Sequence, residues 1–280
     1  MPTAVARLSR ALIRALPLYN GKGRIIDRTA LRRLRFREAT LDVLTSDGFN
    51  IKVIPNDLIG RHIYLTGRFD RCVVDALVQF AKPRACLWDI GANIGYVSCA
   101  FLARVPGSRI LAVEPLVDVA KILRQNVGQF GLSRSAVLEA AVSDRVGTGS
   151  IVSVDGNLGM SHVAETGQGQ PTEFIDFQGL LGAAGPPDVI KIDVEGHEFA
   201  VLTGIAPAIE KHRPAVIVFE HHRDGQPPDP RIVEAFSSLK YDLKRIWRRW
   251  SGWKLGPATG DFERGYEPSE DFAAVRRDGG

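Results

Sequence analysis

Apolar positions along the chain follow three different periods. Val5, Leu8, Leu12 and Leu16 recur at three- and four-residue steps, with Arg7, Arg10 and Arg14 outside that stripe. This spacing predicts an amphipathic helix over residues 4–16. Around residues 41–54 the period falls to two, with Leu41 and Val43 before Asp47-Gly48 and Phe49, Ile51 and Val53 after it, the pattern of a hairpin. Residues 70–82 read as a helix closed by Pro83. From residue 85 the apolar runs become short and continuous: 85–90, 109–115, 137–142, 188–193 and 215–220. Helical stretches at 97–104, 118–130 and 198–205 lie between them. Continuous apolar strands alternating with helices predict an α/β fold with a parallel sheet covered on both faces. Several strands end in an acid, as expected for a ligand crevice at their carboxyl ends.

The segment 143–187 is rich in Gly, Ser, Thr and Gln and reads as loops with short strands, Gly149 to Val154 among them. Residues 224–230 form a Pro-rich linker before a helix at 231–239 and strands near 241–249 and 272–277. The chain thus divides into an N-terminal arm (1–40), a hairpin-like lead-in (41–66), a core (67–223) and a C-terminal piece (224–280).

Composition is that of a globular protein, 45% hydrophobic and 24% charged, with a net charge of +4. The mild balance does not point to nucleic acid. Its distribution is uneven: residues 1–40 carry ten basic and two acidic residues, leaving a slightly acidic body. This arm is a candidate for peripheral contact with anionic lipid through Arg7, Arg10 and Arg14, and a charge-rich solvated helix is the plainer reading. Three cysteines (Cys72, Cys86, Cys99), none in a CxxC pair, fit buried reduced thiols and a cytoplasmic location. No apolar run is long enough to span a bilayer. Residues 1–18 lack a secretory h-region, while their Arg-rich, acid-free composition leaves a transit peptide open.

The most informative stretch is Asp89-Ile90-Gly91-Ala92-Asn93-Ile94-Gly95, between a buried strand and a helix. A dinucleotide loop requires G-x-G-x-x-G to seat a pyrophosphate. Here Asn93 replaces the middle glycine, and Asp89 suits an ammonium and repels a pyrophosphate. That favours S-adenosylmethionine, with Gly91, Asn93 and Gly95 letting the backbone approach the ligand. Glu114, 23 positions after Gly91, is a candidate acceptor for the ribose hydroxyls. Asp144, after the third strand, is a candidate partner of the adenine amine, with a plain turn as the alternative.

With Trp88 to Ser98, Val113-Glu114-Pro115 and Lys191-Ile192-Asp193-Val194-Glu195-Gly196-His197-Glu198 in view, the sequence resembles the FkbM family of S-adenosylmethionine-dependent methyltransferases over about residues 66–222. Asp70 stands where the family usually has Glu. The resemblance implies a Rossmann-like class I fold with a mainly parallel seven-stranded sheet. It also implies O-methylation, often of a sugar or natural-product hydroxyl.

A hydroxyl is a poor nucleophile, so a general base or a metal is expected. Asp193 at a strand end is placed toward the methyl donor, and His197 sits on the following turn. Glu220 and His222 share one side of the next strand end by alternation. His222 or Asp193 is the expected base, with Glu220 and His197 as further candidates. A metal on Asp193, Glu220 and His222 stays open, with no sequential ligand spacing to support it. The segment 155–176, with Asn157, Met160, Ser161 and His162, is placed over the acceptor or read as a mobile loop. Arg245 to Lys254 interleaves three tryptophans with four bases, either an edge hairpin or a surface for stacking on sugars.

Competing classes fare less well. The N/D-P-P-Y/F motif of amino-methylating nucleic-acid enzymes is absent, and Asn93 disfavours an NAD-linked oxidoreductase. The alternatives that stay open are a nucleic-acid or other small-molecule methyltransferase and a non-catalytic membrane-associated module built on the basic arm.

Overall fold

The computed structural model describes residues 2–154, 159, 161–163, 169–221 and 228–277. The N-terminal arm forms α1 (Ala4–Ala15), α2 (Lys22–Asp27) and a 3-10 turn (Ala30–Arg33). The hairpin β1 (Leu41–Leu44) and β2 (Asn50–Val53) follows, then α3 (Leu58–Thr66) and α4 (Arg71–Phe80). The core alternates β3 (Cys86–Ile90), α5 (Tyr96–Arg104), β4 (Arg109–Val113), α6 (Val117–Gly128) and β5 (Ser135–Leu138). A small sheet comprises β6 (Ala141–Val142), β7 (Gly147–Val152), β8 (His162–Val163) and β9 (Gln170–Ile175). Then come α7 (Phe177–Ala184), β10 (Val189–Ile192), α8 (Glu198–His212) and β11 (Val216–Glu220). The chain closes with α9 (Pro230–Ser238), β12 (Tyr241–Arg249), β13 (Gly252–Pro257) and β14 (Glu267–Arg276).

The main sheet has the order β13-β12-β14-β11-β10-β3-β4-β5. Its five core strands are parallel, with β14 antiparallel between β11 and β12. This is the class I methyltransferase arrangement, with one strand more than the expected seven. The added strand is β13, which pairs with β12 from Lys244↔Pro257 to Arg249↔Gly252. Every residue of β3 and β10 is buried, which is why both read as unbroken apolar runs. On one side of the sheet Phe219 stacks on Phe236 and Phe272, with centroids 5.4 and 5.6 Å apart. Truncating such a fully buried ring costs about 3–5 kcal/mol.

Several expectations need correction. The third strand, expected over 137–142, is divided: β5 joins the main sheet and β6 pairs with β9 in the small one. The segment 143–187 contains a helix, α7, started by Asp176, whose carboxylate accepts from Gln178 N at 3.0 Å. The helix at 198–205 continues to His212 through Pro207. The stripe on α1 faces outward: Val5, Leu8 and Leu12 are 62–64% exposed, while Ala6 and Ile13 are buried. Two arginines account for this. Arg10 lies over the Tyr64 ring, and Arg14 donates to the carbonyls of Leu44 and Tyr64. Among the described residues no helix is long and apolar enough to cross a membrane.

Candidate active site

Strand register builds the site. Ile90 is aligned with Val113 of β4 and Ile192 of β10, and Ile192 with Phe219 of β11. The next residues therefore form a row across the carboxyl ends: Glu114, Gly91, Asp193 and Glu220. Asp271 of β14 pairs directly with Glu220 and extends it. Gly91 N donates to Val113 O at 3.0 Å, and Asp193 N donates to Ile90 O at 3.0 Å. At φ +76° Gly91 lies so close to β10 that a Cβ there would stand 1.8 Å from the Asp193 carbonyl oxygen. The glycine thus permits the close approach of β3 to the end of β10, and it also lines the hollow above. Gly95, at φ +86°, similarly admits Leu123, whose Cδ1 would lie 2.5 Å from a Cβ.

A hollow opens above this row, lined by Gly91, Asn93, Glu114, Asp193, Glu195 and His197, with Ile90, Val113, Val142 and Ile151 as apolar wall. Glu114 is buried and accepts from Asn93 N at 3.0 Å and Leu116 N at 2.9 Å. Burial pushes its carboxyl up to about 7, against the pull of those two amides. Asn93, at φ 49°, accepts from Ile94 N through its own side chain at 2.8 Å. His197 caps the start of α8, and its Nε2 lies 3.2 Å from Ser143 Oγ. Burial lowers its pKa, favouring the neutral ring. Ser161 and His162 also line this hollow.

Two expected cofactor residues lie elsewhere. Asp89 is fully buried beneath the loop, accepting from Ser98 Oγ at 2.6 Å and facing Lys191 Nζ at 3.3 Å, so it does not line the hollow. Asp144 is exposed and accepts from Ser143 Oγ. His222, Asn157 and Met160 lie outside the described residues.

Sequence reasoning assigned no role to Lys191, yet it organises the centre. Its Nζ donates to Gly91 O at 2.6 Å and lies 3.2 Å from Asp193. Burial lowers its pKa, but Asp193, Asp89 and Asp70 outweigh that and hold the ammonium charged. A lysine inside the all-buried run Val189–Ile192 was the available signal, since lysine is almost never buried unless paired. Next along the row, Glu220 is hydrogen-bonded to Asp193, and its carboxyl is pushed up to about 11 by burial and by Asp193, Asp271 and Asp70. The raised pKa favours a proton held between the Glu220 and Asp193 carboxyls. Among the described residues no group of three or more His, Cys, Asp or Glu is arranged to hold a metal.

A second, open cleft of about 630 Å³ is lined by Asp70, Arg68, Arg71, Arg248, Tyr19 and Trp250, among others. Asp70 starts α4 in the left-handed region at φ 40°, yet its carboxylate makes no capping hydrogen bond. Burial, Asp271 and Asp193 push its carboxyl up to about 7. Arg248 pairs with Asp271.

Residues 89–243, more than half of the chain, match the methyltransferase FkbM domain. The chain belongs to the FkbM methyltransferase family. It is 26% identical over 192 residues to the hexuronic acid methyltransferase AglP of Haloferax volcanii, spanning 65% of this chain and 74% of that protein. It is also 26% identical over 185 residues to the AMB antimetabolite synthetase AmbE of Pseudomonas aeruginosa, 51% of this chain and 9% of that much longer one. Among solved structures it is similar to a methyltransferase FkbM from Methylobacillus flagellatus, with 14% identity, 76% of this chain and 52% of that one covered, and a TM-score of 0.44. An O-methyltransferase from Bacillus cereus in complex with SAH gives 18% identity, 74% and 80% coverage, and a TM-score of 0.41.

The cofactor of this FkbM protein is S-adenosylmethionine, and the charge of the hollow's lining suits it. Among the described residues the lining holds three carboxylates and no Lys or Arg. Such a surface favours a ligand carrying an ammonium and a sulfonium and disfavours a pyrophosphate. Glu114 and Asp193 are both among its lining residues.

Proposed function

We propose that the chain O-methylates a carbohydrate acceptor seated in the open cleft, with Asp70 as the group that takes the proton. The supporting observation is the position of Asp70, which lines the cleft while lying within electrostatic reach of Asp193 on the cofactor side. Exposed Trp250, at the turn between β12 and β13, supplies an aromatic face in the same cleft. The name of the Haloferax volcanii relative, a hexuronic acid methyltransferase, is consistent with a carbohydrate oxygen as acceptor.

When bound, S-adenosylmethionine supplies a methyl group on a positively charged sulfur. Asp193, paired with Lys191 and hydrogen-bonded to Glu220, is fixed by both neighbours and suits binding rather than proton removal. Asp70 has no such saturation. Its near-neutral pKa fits a base that accepts the hydroxyl proton as the oxygen is methylated and then releases it to water in the cleft.

Asp70→Asn tests this, because Asn tolerates the left-handed backbone at this position. The variant is expected to lose at least 100-fold in kcat while binding S-adenosylhomocysteine within twofold of wild type. In the wild type, protonation below about pH 7 removes the base. The rate is therefore expected to fall about tenfold per pH unit on the acid side and to level above it. Unchanged kcat in Asp70→Asn would place the proton transfer elsewhere.

The outward stripe Val5, Leu8 and Leu12 suits an anionic lipid surface, joined by exposed Arg7, Arg28, Arg32, Arg33, Arg35 and Arg37 from the same arm. Leu8→Ser/Leu12→Ser is expected to abolish flotation with phosphatidylglycerol vesicles without changing Tm. Flotation equal to wild type would remove the lipid contact from this reading.

A further inference from the structure

The two hollows have opposite electrostatics. The cofactor hollow has carboxylates and no Lys or Arg among its described lining residues, whereas the acceptor cleft is crowded with cations. Arg14, Lys22, Arg68 and Arg71 all line the cleft. Their compensation is thin. Lys22 donates to Arg14 O at 3.0 Å and pairs with no carboxylate among the described residues, and the same holds for Arg14. Arg68 reaches Asp47 only at 3.7 Å, and that carboxylate already accepts from Tyr96 Oη at 2.6 Å. Arg71 reaches Asp75 at 3.8 Å, where Arg104 and Tyr19 are the closer partners. The Nε atoms of Arg14 and Arg68 are buried and donate to nothing among the described residues.

Acids in the same cleft do not neutralise this cluster. Asp27 is held by His62 at 2.8 Å, and Glu267 by Arg24. Asp70 is the remaining one, and it belongs to the reacting end. The four cations also repel each other. After burial, Arg68, Arg71 and Arg14 lower the Lys22 ammonium, and burial with Arg68 brings the Arg71 guanidinium down to about 10. Holding such a group together has an electrostatic cost that a bound anion removes.

We infer that the cation cluster Arg14, Lys22, Arg68 and Arg71 is a binding subsite for a diphosphate group carried by the sugar acceptor. The inference rests on the O-methyltransferase reading above and specifies its substrate class: a sugar attached through a diphosphate. Several under-compensated cations match a group with two negative charges and exceed what one sugar carboxylate supplies. Arginine forks suit phosphoryl oxygens. With the diphosphate on the cations and Asp70 at the same cleft, the sugar is held between them, and exposed Trp250 offers a face for its ring.

Calorimetry on the full chain saturated with S-adenosylhomocysteine tests the subsite, with sodium pyrophosphate as probe and sodium glucuronate as the carboxylate comparison. Pyrophosphate is expected to bind at least tenfold more tightly than glucuronate and to weaken as salt is raised. Lys22→Gln/Arg68→Gln is expected to weaken pyrophosphate at least tenfold while S-adenosylhomocysteine binding and Tm hold. A nucleoside-diphosphate sugar and a short-chain prenyl-diphosphate sugar are then added as competitors. Displacement by either supports the subsite and identifies whether the acceptor is soluble or lipid-linked. Pyrophosphate silent in a protein that binds S-adenosylhomocysteine, glucuronate binding as tightly, an unaffected double variant, or no displacement by either sugar would each overturn the inference and leave the methyltransferase reading standing. Loss of S-adenosylhomocysteine binding in the wild type would instead undermine that reading.

Discussion

Gly91→Ala is expected to abolish S-adenosylhomocysteine binding and to lower Tm by about 10 °C or more. The added Cβ would sit 1.8 Å from the Asp193 carbonyl oxygen, which is backbone and has no rotamer to escape into. The ends of β3 and β10 must then separate, and Gly91 O, Ala92 N and Asn93 N carry their hydrogen bonds to Lys191, Val113 and Glu114 out of place. A clash of this kind belongs among substitutions that cost more than about 4 kcal/mol. In a chain of this size each kcal/mol lowers Tm by about 2–4 °C. Gly196→Ala is the control. Gly196 has a similar φ of +77°, but nothing lies within 4 Å of its Cβ position, so only the backbone preference of about 1–2 kcal/mol is lost. Calorimetry and thermal melts on both variants check the argument. A Gly91→Ala protein that binds like the control would show that the strand crossing is looser than described.

Lys191→Met is expected to destabilise the protein by about 3–5 kcal/mol, the usual cost of leaving a buried charge without its partner. The methionine fills similar space but leaves Asp89, fully buried, facing no cation and leaves Gly91 O without its donor. Asp193 loses the ammonium that fixes it, so cofactor affinity is expected to fall as well. The double variant Lys191→Met/Asp89→Asn separates charge from packing. Asn still accepts from Ser98, carries no charge, and is expected to recover part of the loss. Denaturant melts read both variants, and a double variant no more stable than Lys191→Met would mean that the ion pair is not what the lysine supplies.

The core strands were legible because β3, β4, β10 and β11 are largely buried and carry a single charged residue each in an otherwise apolar run. Elements set by tertiary contacts were not. Nothing in the spacing of α1 says which side meets the body, because Arg10 and Arg14 are drawn inward by a ring and two carbonyls supplied by distant segments. The helix α3 escaped notice since its buried face includes Arg61 and Gly60, which blur an apolar stripe. In the site, Gly91 and Glu114 were found from the loop and its spacing to the next acid. Asp89 was assigned to the ligand because a sequence cannot show that an acid at a strand end is already taken by Ser98 and Lys191. Asp271 gave no local signal at all: it reaches the row only because β14 runs antiparallel beside β11.

Transfer of a methyl group to an oxygen of an acceptor beside Asp70 is read by following radiolabelled methyl from S-adenosylmethionine into a panel of diphosphate-linked and free sugars, with the product linkage determined by NMR. An O-methyl product is expected, its formation suppressed at least 100-fold by Asp70→Asn. Label on nitrogen or carbon, or a variant that turns over as fast as wild type, would contradict it.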